Sequence, residues 1–136
     1  MAELTKLSVI VPARDEDRCI AATLEHLYSE LSRRRIPHEI LVVDDGSCDG
    51  TWEVLLKTKP AIPSLRLLRN GGPHGFGRAV LYGLDRMEGD AAVILMADES
   101  DDCRDVVRYW DTLQEGADCA FGSRFIPGGG TFGYPW

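Results

Sequence analysis

The sequence predicts an α/β protein whose mostly parallel, Rossmann-like sheet carries helices on both faces. Three observations support this fold class. Short runs of β-branched and apolar residues are typical of buried strands, amphipathic helical stretches lie between them, and strand and helix alternate in units of about 30 residues. Strand–helix–strand units connect through right-handed crossovers, which make the strands parallel. A chain of 136 residues fits one domain.

Five apolar segments are predicted to be strands. The run at 40–43 is continuous and ends abruptly at Asp44 and Asp45, as expected for a parallel strand that is buried on both faces. Pro12 ends the first run, because proline cannot donate to a central strand ladder. The predicted strands are residues 7–11, 40–43, 65–69, 91–96 and 118–122.

Four helices are predicted between these strands, from apolar residues at helical spacing. Pro37 and Pro60 close the first two helices, since proline and the residue before it disfavour a continuing helix. The third helix is predicted at 79–87. The residues predicted to face inward are Ile20, Leu24, Leu27 and Leu31 in the first helix, Trp52, Leu55 and Leu56 in the second, and Val106, Trp110 and Leu113 in the fourth.

Composition and charge exclude several classes of protein. A net charge of −7 and a pI near 4.9 argue against binding nucleic acid, because phosphate backbones favour basic surfaces. No apolar run approaches the ~20 residues that span a bilayer, and the first residues do not resemble a secretory signal. The four cysteines form no CxxC pair, so we expect reduced thiols and a cytoplasmic protein.

Acidic residues follow the first, second and fourth predicted strands. Glu16, Asp45 and Asp98 are examples from the three loops. Ligands of open parallel sheets bind beyond the carboxyl ends of the strands. Three acidic strand ends at one edge therefore predict a site for a cation-bridged or hydroxyl-rich ligand. For the second strand alone, a common Asp-Gly turn is an equally good interpretation.

A glycine-rich stretch at 70–78 precedes the third helix. Backbone N–H groups of such a loop can hold a phosphate, and Arg78 adds a positive charge for a diphosphate. The stretch has neither a Walker sequence nor GxGxxG, so a simple turn is the alternative. His74, in the middle of the stretch, is predicted to be solvated rather than catalytic.

Three segments together resemble the family 2 glycosyltransferases, which have the GT-A fold. Residues 8–16 are similar to the family's SVIVPxYNE opening, and residues 39–51 to its EIxxVDDGSxDxT block. Residues 89–100, followed by 122–125, resemble its GDxxxxMDADxS and GSRY/F segments. The similarity is strongest to the N-terminal half of dolichyl-phosphate mannosyltransferase and of bacterial polyprenyl-phosphate glycosyltransferases. It implies a nucleotide-sugar-binding domain over 1–125 and a Gly/Pro-rich loop over 126–136, where a missing acceptor region would begin in a truncated chain.

The resemblance implies inverting transfer of a sugar from a nucleotide diphosphate sugar to an acceptor. The implied acceptor is a polyprenyl phosphate, which places the protein at the cytoplasmic face of a membrane. The implied cofactor is Mg²⁺ or Mn²⁺. The residues implied to bind the nucleotide sugar are Pro12, Arg14, Glu16, Val43, Asp45, Met96, Ala97, Asp98 and Arg124; those implied in catalysis are Asp98 and Arg124; those implied to hold the metal are Asp98 and Ser100.

Met96 is a departure from the family pattern, because it replaces the first aspartate of the DxD motif. A thioether is a poor ligand for magnesium. One or two carboxylates are nevertheless sufficient when phosphates and waters complete the shell. Glu99, Asp101 or Asp102 could substitute for the lost carboxylate; the alternative is that these three form a solvated acidic start of the fourth helix.

Two other functions compete with glycosyl transfer. A non-catalytic nucleotide-sugar-binding module, or an inactive fragment of a transferase, would explain Met96 and the short chain. An NAD enzyme is disfavoured, because residues 12–16 follow the first strand where that fold needs a glycine fingerprint. A sheet left uncovered by the short chain also predicts self-association.

Overall fold

The computed structural model describes residues 4–99 and 101–118. In these ranges four strands form one parallel sheet in the order β3-β2-β1-β4. The elements in chain order are β1 (Leu7–Ala13), α1 (Ile20–Arg33), β2 (His38–Asp44), α2 (Thr51–Thr58), β3 (Leu65–Arg69), α3 (Phe76–Leu84), β4 (Ala91–Ile94) and α4 (Cys103–Gln114), with a single 3₁₀ turn at Lys59–Ala61 after α2.

Helices cover both faces of the sheet, which confirms the predicted fold class. Helix α1 packs between α2 and α4 on one face, whereas α3 lies across β1 and β2 on the other. Successive side chains of β1 point to opposite faces of the sheet. Val9 belongs to the large core beneath α1, whereas Ile10 contacts Gly83 of α3. The crossover from β3 through α3 to β4 therefore runs over the opposite face from the first two crossovers.

The apolar stripe predicted for α1 is confirmed. Ile20, Leu24, Leu27 and Leu31 are all fully buried. Burying a side chain of this size contributes about 1.5–3 kcal/mol relative to leaving it in water, so this stripe is a major source of the stability of the large core. None of the helices in the described ranges combines the length and apolar content that a bilayer-crossing segment needs.

The prediction that Leu56 faces inward was wrong. Helix α2 is short, and it buries Thr51, Leu55 and Thr58, which are spaced three or four residues apart. Leu56 lies a further 100° around the helix and is 51% exposed.

The bounds predicted for α3 and β4 also differ from the structure. Helix α3 begins and ends three residues before the predicted range, because Gly75 has a φ of 145° and the helix starts directly after it. Strand β4 ends at Ile94 rather than Met96. The N–H of Leu95 still donates to the carbonyl of Ile10 at 3.0 Å, whereas the N–H of Met96, on the outer side of this edge strand, donates to the Asp101 carboxylate at 3.0 Å as the chain turns toward α4.

Helix α3 packs on β1 and β2, so within the described ranges β4 is left largely uncovered on that face. Ile94 is 45% exposed there. Arg66 of β3 donates to the carbonyl of Arg86 at 3.1 Å, so the Tyr82 and Arg86 side of α3 faces β3. Leu84 lies about 160° around the helix from Tyr82, on the side toward β4, and the exposed Leu81 lies beside it on the outer surface of α3. We call Leu81, Leu84 and Ile94 the β4-side patch. The predicted fifth strand, the domain boundary at 125 and the loop at 126–136 lie outside the described residues.

Candidate nucleotide-binding edge

The acidic loops of the sequence prediction leave neighbouring strands at one edge of the sheet. β1 is parallel to both β2 and β4 and lies between them. The chain passes from β1 to β2 on one side and returns through α3 to β4 on the other, so β1 and β4 form the switch point where open α/β sheets bind ligands. At a strand spacing of about 4.8 Å, the ends of β4 and β2 are about 10 Å apart.

The loops after β1 and β2 are joined by hydrogen bonds between backbone and side chains. The N–H of Asp15 donates to Oγ of Ser47 at 3.0 Å, and the N–H of Cys48 donates to Oδ1 of Asp15 at 2.7 Å. The N–H of Glu16 donates to Oγ1 of Thr51 at 2.9 Å. Two motifs more than 30 residues apart in sequence thus form one rim of the edge.

Glu16 lies in a concentration of negative charge. Burial raises the pKa of Glu16 above its ordinary value, and the charges of Asp98, Asp49 and Asp15 raise it further. The effect of Asp98 shows that the loops after β1 and β4 approach each other here. Asp98 itself is exposed. A cation bound between these carboxylates would relieve their repulsion.

The donor set fits a divalent cation only in part. Within the described ranges, no group of three or more His, Cys, Asp or Glu is placed to hold a metal ion. Asp101 bonds to the N–H of Met96. Asp102 caps α4 by accepting from the N–H of Arg104 at 2.9 Å, and the hydrogen bonds from Arg104 lower the pKa of Asp102 to about 2. Two of the three proposed substitutes for the lost aspartate are therefore engaged in the fold, whereas Glu99 is exposed.

Asp45 does not face an open groove. Its side chain is 5% exposed, and both of its oxygens accept hydrogen bonds from the glycine-rich stretch. Oδ1 accepts from Nδ2 of Asn70 and from Nδ1 of His74, each at 2.9 Å, and Oδ2 accepts from the N–H of Gly75 at 2.8 Å. The glycine-rich stretch is thus fastened over the end of β2.

His74 is solvent-accessible, as predicted, but no pattern around it indicated its bond to Asp45. Its side chain is 38% exposed, and its ring lies against Gly46. The two partners are 29 residues apart, and no local pattern relates them. Asn70 and Gly75 were missed for the same reason.

The other predicted site residues differ in their surroundings. Pro12, Val43 and Ala97 are buried, and the side chain of Val43 lies beneath Gly83 of α3, so these three offer a ligand at most their backbone. Arg14 is exposed. Ser100 and Arg124 lie outside the described residues.

An open depression of about 590 Å³ adjoins the end of β4. It is lined by α1 and the start of α4, including Glu30 and Arg104, and not by the ends of β1 and β2. We therefore place the nucleotide along the strand ends and not in this depression.

Comparison with known proteins points to one family. The family model described as Glycosyl transferase family 2 matches residues 8–136. A dolichol-phosphate mannosyltransferase of Pyrococcus furiosus is 31% identical over 96% of this chain and 36% of its own length. A polyprenol monophosphomannose synthase of Mycolicibacterium smegmatis is 38% identical over 71% of this chain and 38% of its own length. The chain therefore spans little more than a third of these relatives.

A solved structure agrees with these similarities. A mannosyltransferase from Pyrobaculum calidifontis, in complex with GDP-Man and Mn²⁺, superposes with a TM-score of 0.71 and 28% identity. The superposition covers 86% of this chain and 33% of that one. The four-stranded sheet described here thus corresponds to part of a larger fold.

Proposed function

The chain belongs to glycosyl transferase family 2, and on that premise we propose that it binds the donor of an inverting glycosyl transfer. The donor is a nucleotide diphosphate sugar, and the acceptor is a polyprenyl phosphate at a membrane surface. One observation carries the proposal: the loops after β1, β2 and β4 meet at one edge, where Glu16 and Asp98 lie close enough for the charge of one to raise the pKa of the other.

The charges at this edge support this position for the donor. Carboxylates cannot bond a diphosphate directly, so the acidic end of β4 suits a diphosphate only when a cation lies between them. The base then extends across β1 toward β2. The complex of the Pyrobaculum relative makes GDP the first nucleotide to test.

Asp98 would hold the divalent cation, Mg²⁺ or Mn²⁺, and Ser100 is the second candidate ligand. When bound, the cation offsets the negative charge of the departing nucleoside diphosphate. Arg124 would offset the same charge. An acceptor phosphate is already anionic, so it needs no residue to remove a proton before it attacks.

Calorimetric titration of the 136-residue chain with GDP- and UDP-sugars, with and without Mn²⁺, tests this function. We expect binding that depends on Mn²⁺ and that Asp98→Asn weakens at least tenfold. Asp111→Asn is the matched control, because Asp111 is exposed on α4 and pairs with Arg34 away from the edge. A folded sample that binds none of these nucleotides contradicts the proposal.

A non-catalytic nucleotide-binding module is the second candidate, and Met96 favours it. This module would bind nucleotide with little dependence on metal and would not transfer sugar. Met96→Asp distinguishes the two functions, because it adds a carboxylate two residues before Asp98. For the transferase we expect the variant to bind Mn²⁺ several-fold more tightly, as measured by electron paramagnetic resonance. An unchanged affinity would contradict the cation position proposed here.

A further inference from the structure

The Asp45 carboxylate is fully used within the protein. Three donors, from Asn70, His74 and Gly75, converge on its two oxygens at 2.8–2.9 Å, and its own N–H donates to the carbonyl of Ala13. Reaching a nucleotide base would require it to release the glycine-rich stretch. A buried charged group that loses its hydrogen-bond partners destabilises the protein, so the carboxylate is held where it is.

Asp45 determines which nitrogen of His74 carries the proton. Burial opposes the charge on Asp45, but the hydrogen bonds from Gly75, His74 and Asn70 outweigh it and hold the pKa of Asp45 below its ordinary value. An ionised carboxylate only accepts, so Nδ1 of His74 must be the protonated nitrogen. In the neutral ring, Nε2 is then a hydrogen-bond acceptor.

The position of His74 suits a role in binding the base. Its ring lies against Gly46 at the end of β2, and Nε2 makes no hydrogen bond to any of the residues that the structure describes. The end of β2 lies two strand spacings, about 10 Å, from the end of β4 and its Asp98. A nucleotide whose diphosphate is near Asp98 and whose base extends along the edge reaches His74.

Resting on the proposed function, we propose that Nε2 of His74 accepts a hydrogen bond from the ring N–H of the donor's base, and that Asp45 is the positioning residue for this contact. Guanine and uracil carry such a ring N–H. Adenine and cytosine have an unprotonated ring nitrogen at the equivalent place, and its lone pair would oppose that of Nε2. The contact therefore selects guanine and uracil nucleotides over adenine and cytosine nucleotides.

The test compares GDP with 1-methyl-GDP and UDP with 3-methyl-UDP, by calorimetry on the unaltered chain and on His74→Phe. Methylation removes the ring N–H, and phenylalanine retains a flat ring beside Gly46 without an acceptor. On the unaltered chain we expect methylation to weaken the preferred nucleotide about three- to tenfold, as for one neutral hydrogen bond. On His74→Phe we expect the methylated and unmethylated nucleotides to bind alike.

His26→Phe is the matched control, because His26 is exposed on α1 and lines the depression beside the start of α4, not the end of β2 where His74 lies. It should leave the preference for the unmethylated base unchanged. The comparison on the unaltered chain stands even if His74→Phe does not fold. If GDP or UDP binds but methylation has no effect, this inference fails and the proposed function stands. If neither nucleotide binds, both fail.

The role of Asp45 has its own readout. ¹⁵N NMR of the histidine rings should show His74 in the Nδ1–H form in the unaltered chain. In Asp45→Ala we expect a shift toward the Nε2–H form, together with loss of the preference for the unmethylated base. If Asp45→Ala reverses the tautomer of His74 but the preference for the unmethylated base remains, Nε2 is not the acceptor.

Discussion

The ring of His74 lies so close to Gly46 that no side chain fits between them. A Cβ at residue 46 would be 2.7 Å from Cε1 and 2.9 Å from Nε2 of His74. Gly46 also has a φ of +78°, in the left-handed region that favours glycine. Two independent constraints, one from the backbone and one from a residue 28 positions further on, therefore require glycine here.

Gly46→Ala should lower the free energy of unfolding by about 1–3 kcal/mol, the usual cost of forcing a strained backbone together with a close contact. Urea denaturation measures this. Gly71→Ala is the matched control, since a Cβ at residue 71 meets nothing within 4 Å. In the His74→Ala background, which already lacks the bond to Asp45, Gly46→Ala should cost less than in the unaltered chain, because only the backbone cost remains. An equal cost in the two backgrounds would contradict the described contact.

Replacing each of two glycines of α3 by alanine should change the stability of the protein in opposite directions. A Cβ at Gly83 would be 2.8 Å from Cγ2 of Ile10 and 3.3 Å from Cγ2 of Val43, so the helix would have to move off the sheet, at a cost of about 1–3 kcal/mol. A Cβ at Gly77 meets nothing within 4 Å, and alanine there should stabilise by up to about 1 kcal/mol through helix propensity. Thermal unfolding of both variants checks this; equal shifts would contradict the packing of α3.

Glu39 stabilises the opposite edge of the sheet. It is 3% exposed, and it accepts from Oγ of Ser8 and from Nη1 of Arg66, each at 2.6 Å. The N–H groups of Glu88 and Gly89 donate to it as well, which anchors the turn before β4. Glu39→Gln weakens these charge-assisted bonds, and we expect it to lower stability at pH 7 by about 1.5–3 kcal/mol.

The same variant should change how stability depends on pH. Burial opposes ionisation of Glu39, but the bonds from Ser8, Glu88 and Arg66 outweigh it and lower the pKa of Glu39 from its ordinary value of 4.5. The stabilisation is therefore complete above pH 4.5 and is lost as the pH falls through the lowered pKa. Unfolding curves from pH 7 to pH 3 should show the free energies of unfolding of the unaltered chain and of Glu39→Gln converging as the pH falls. A difference in stability that stays constant with pH would mean that ionisation of Glu39 does not contribute to the stability of the fold.

The β4-side patch should make the 136-residue chain self-associate. Leu81 is 60% exposed and Ile94 is 45% exposed. Association with a second copy of the chain would bury these apolar side chains and remove them from water. Light scattering during gel filtration should show concentration-dependent association that Leu81→Lys/Ile94→Lys abolishes. Leu56→Lys is the control, because Leu56 is equally exposed on the opposite face. Association that both variants reduce equally would contradict this surface.

Local patterns predicted the layers of the fold well, because the spacing of apolar residues directly reflects burial. The apolar stripe of α1 and the acidic end of β2 were both predicted in this way. Leu56 was not, since adjacent leucines in a short helix do not show which one faces the core. The end of β4 was not predicted, because it depends on how the following loop turns back, with Asp101 accepting from the N–H of Met96. The bond between Asp45 and His74 joins two loops that only the assembled sheet brings together, so neither residue shows it in the sequence.

Glu39 and Asp98 lie at opposite ends of one sheet: Glu39 is buried among four donors, whereas Asp98 is exposed at the edge proposed for the nucleotide. A library of single substitutions, scored separately for cellular abundance and for nucleotide capture, would separate the acidic residues that stabilise the fold from those that bind the nucleotide. Changes at Glu39 should deplete the protein itself. Changes at Asp98 should leave its amount intact and silence only capture.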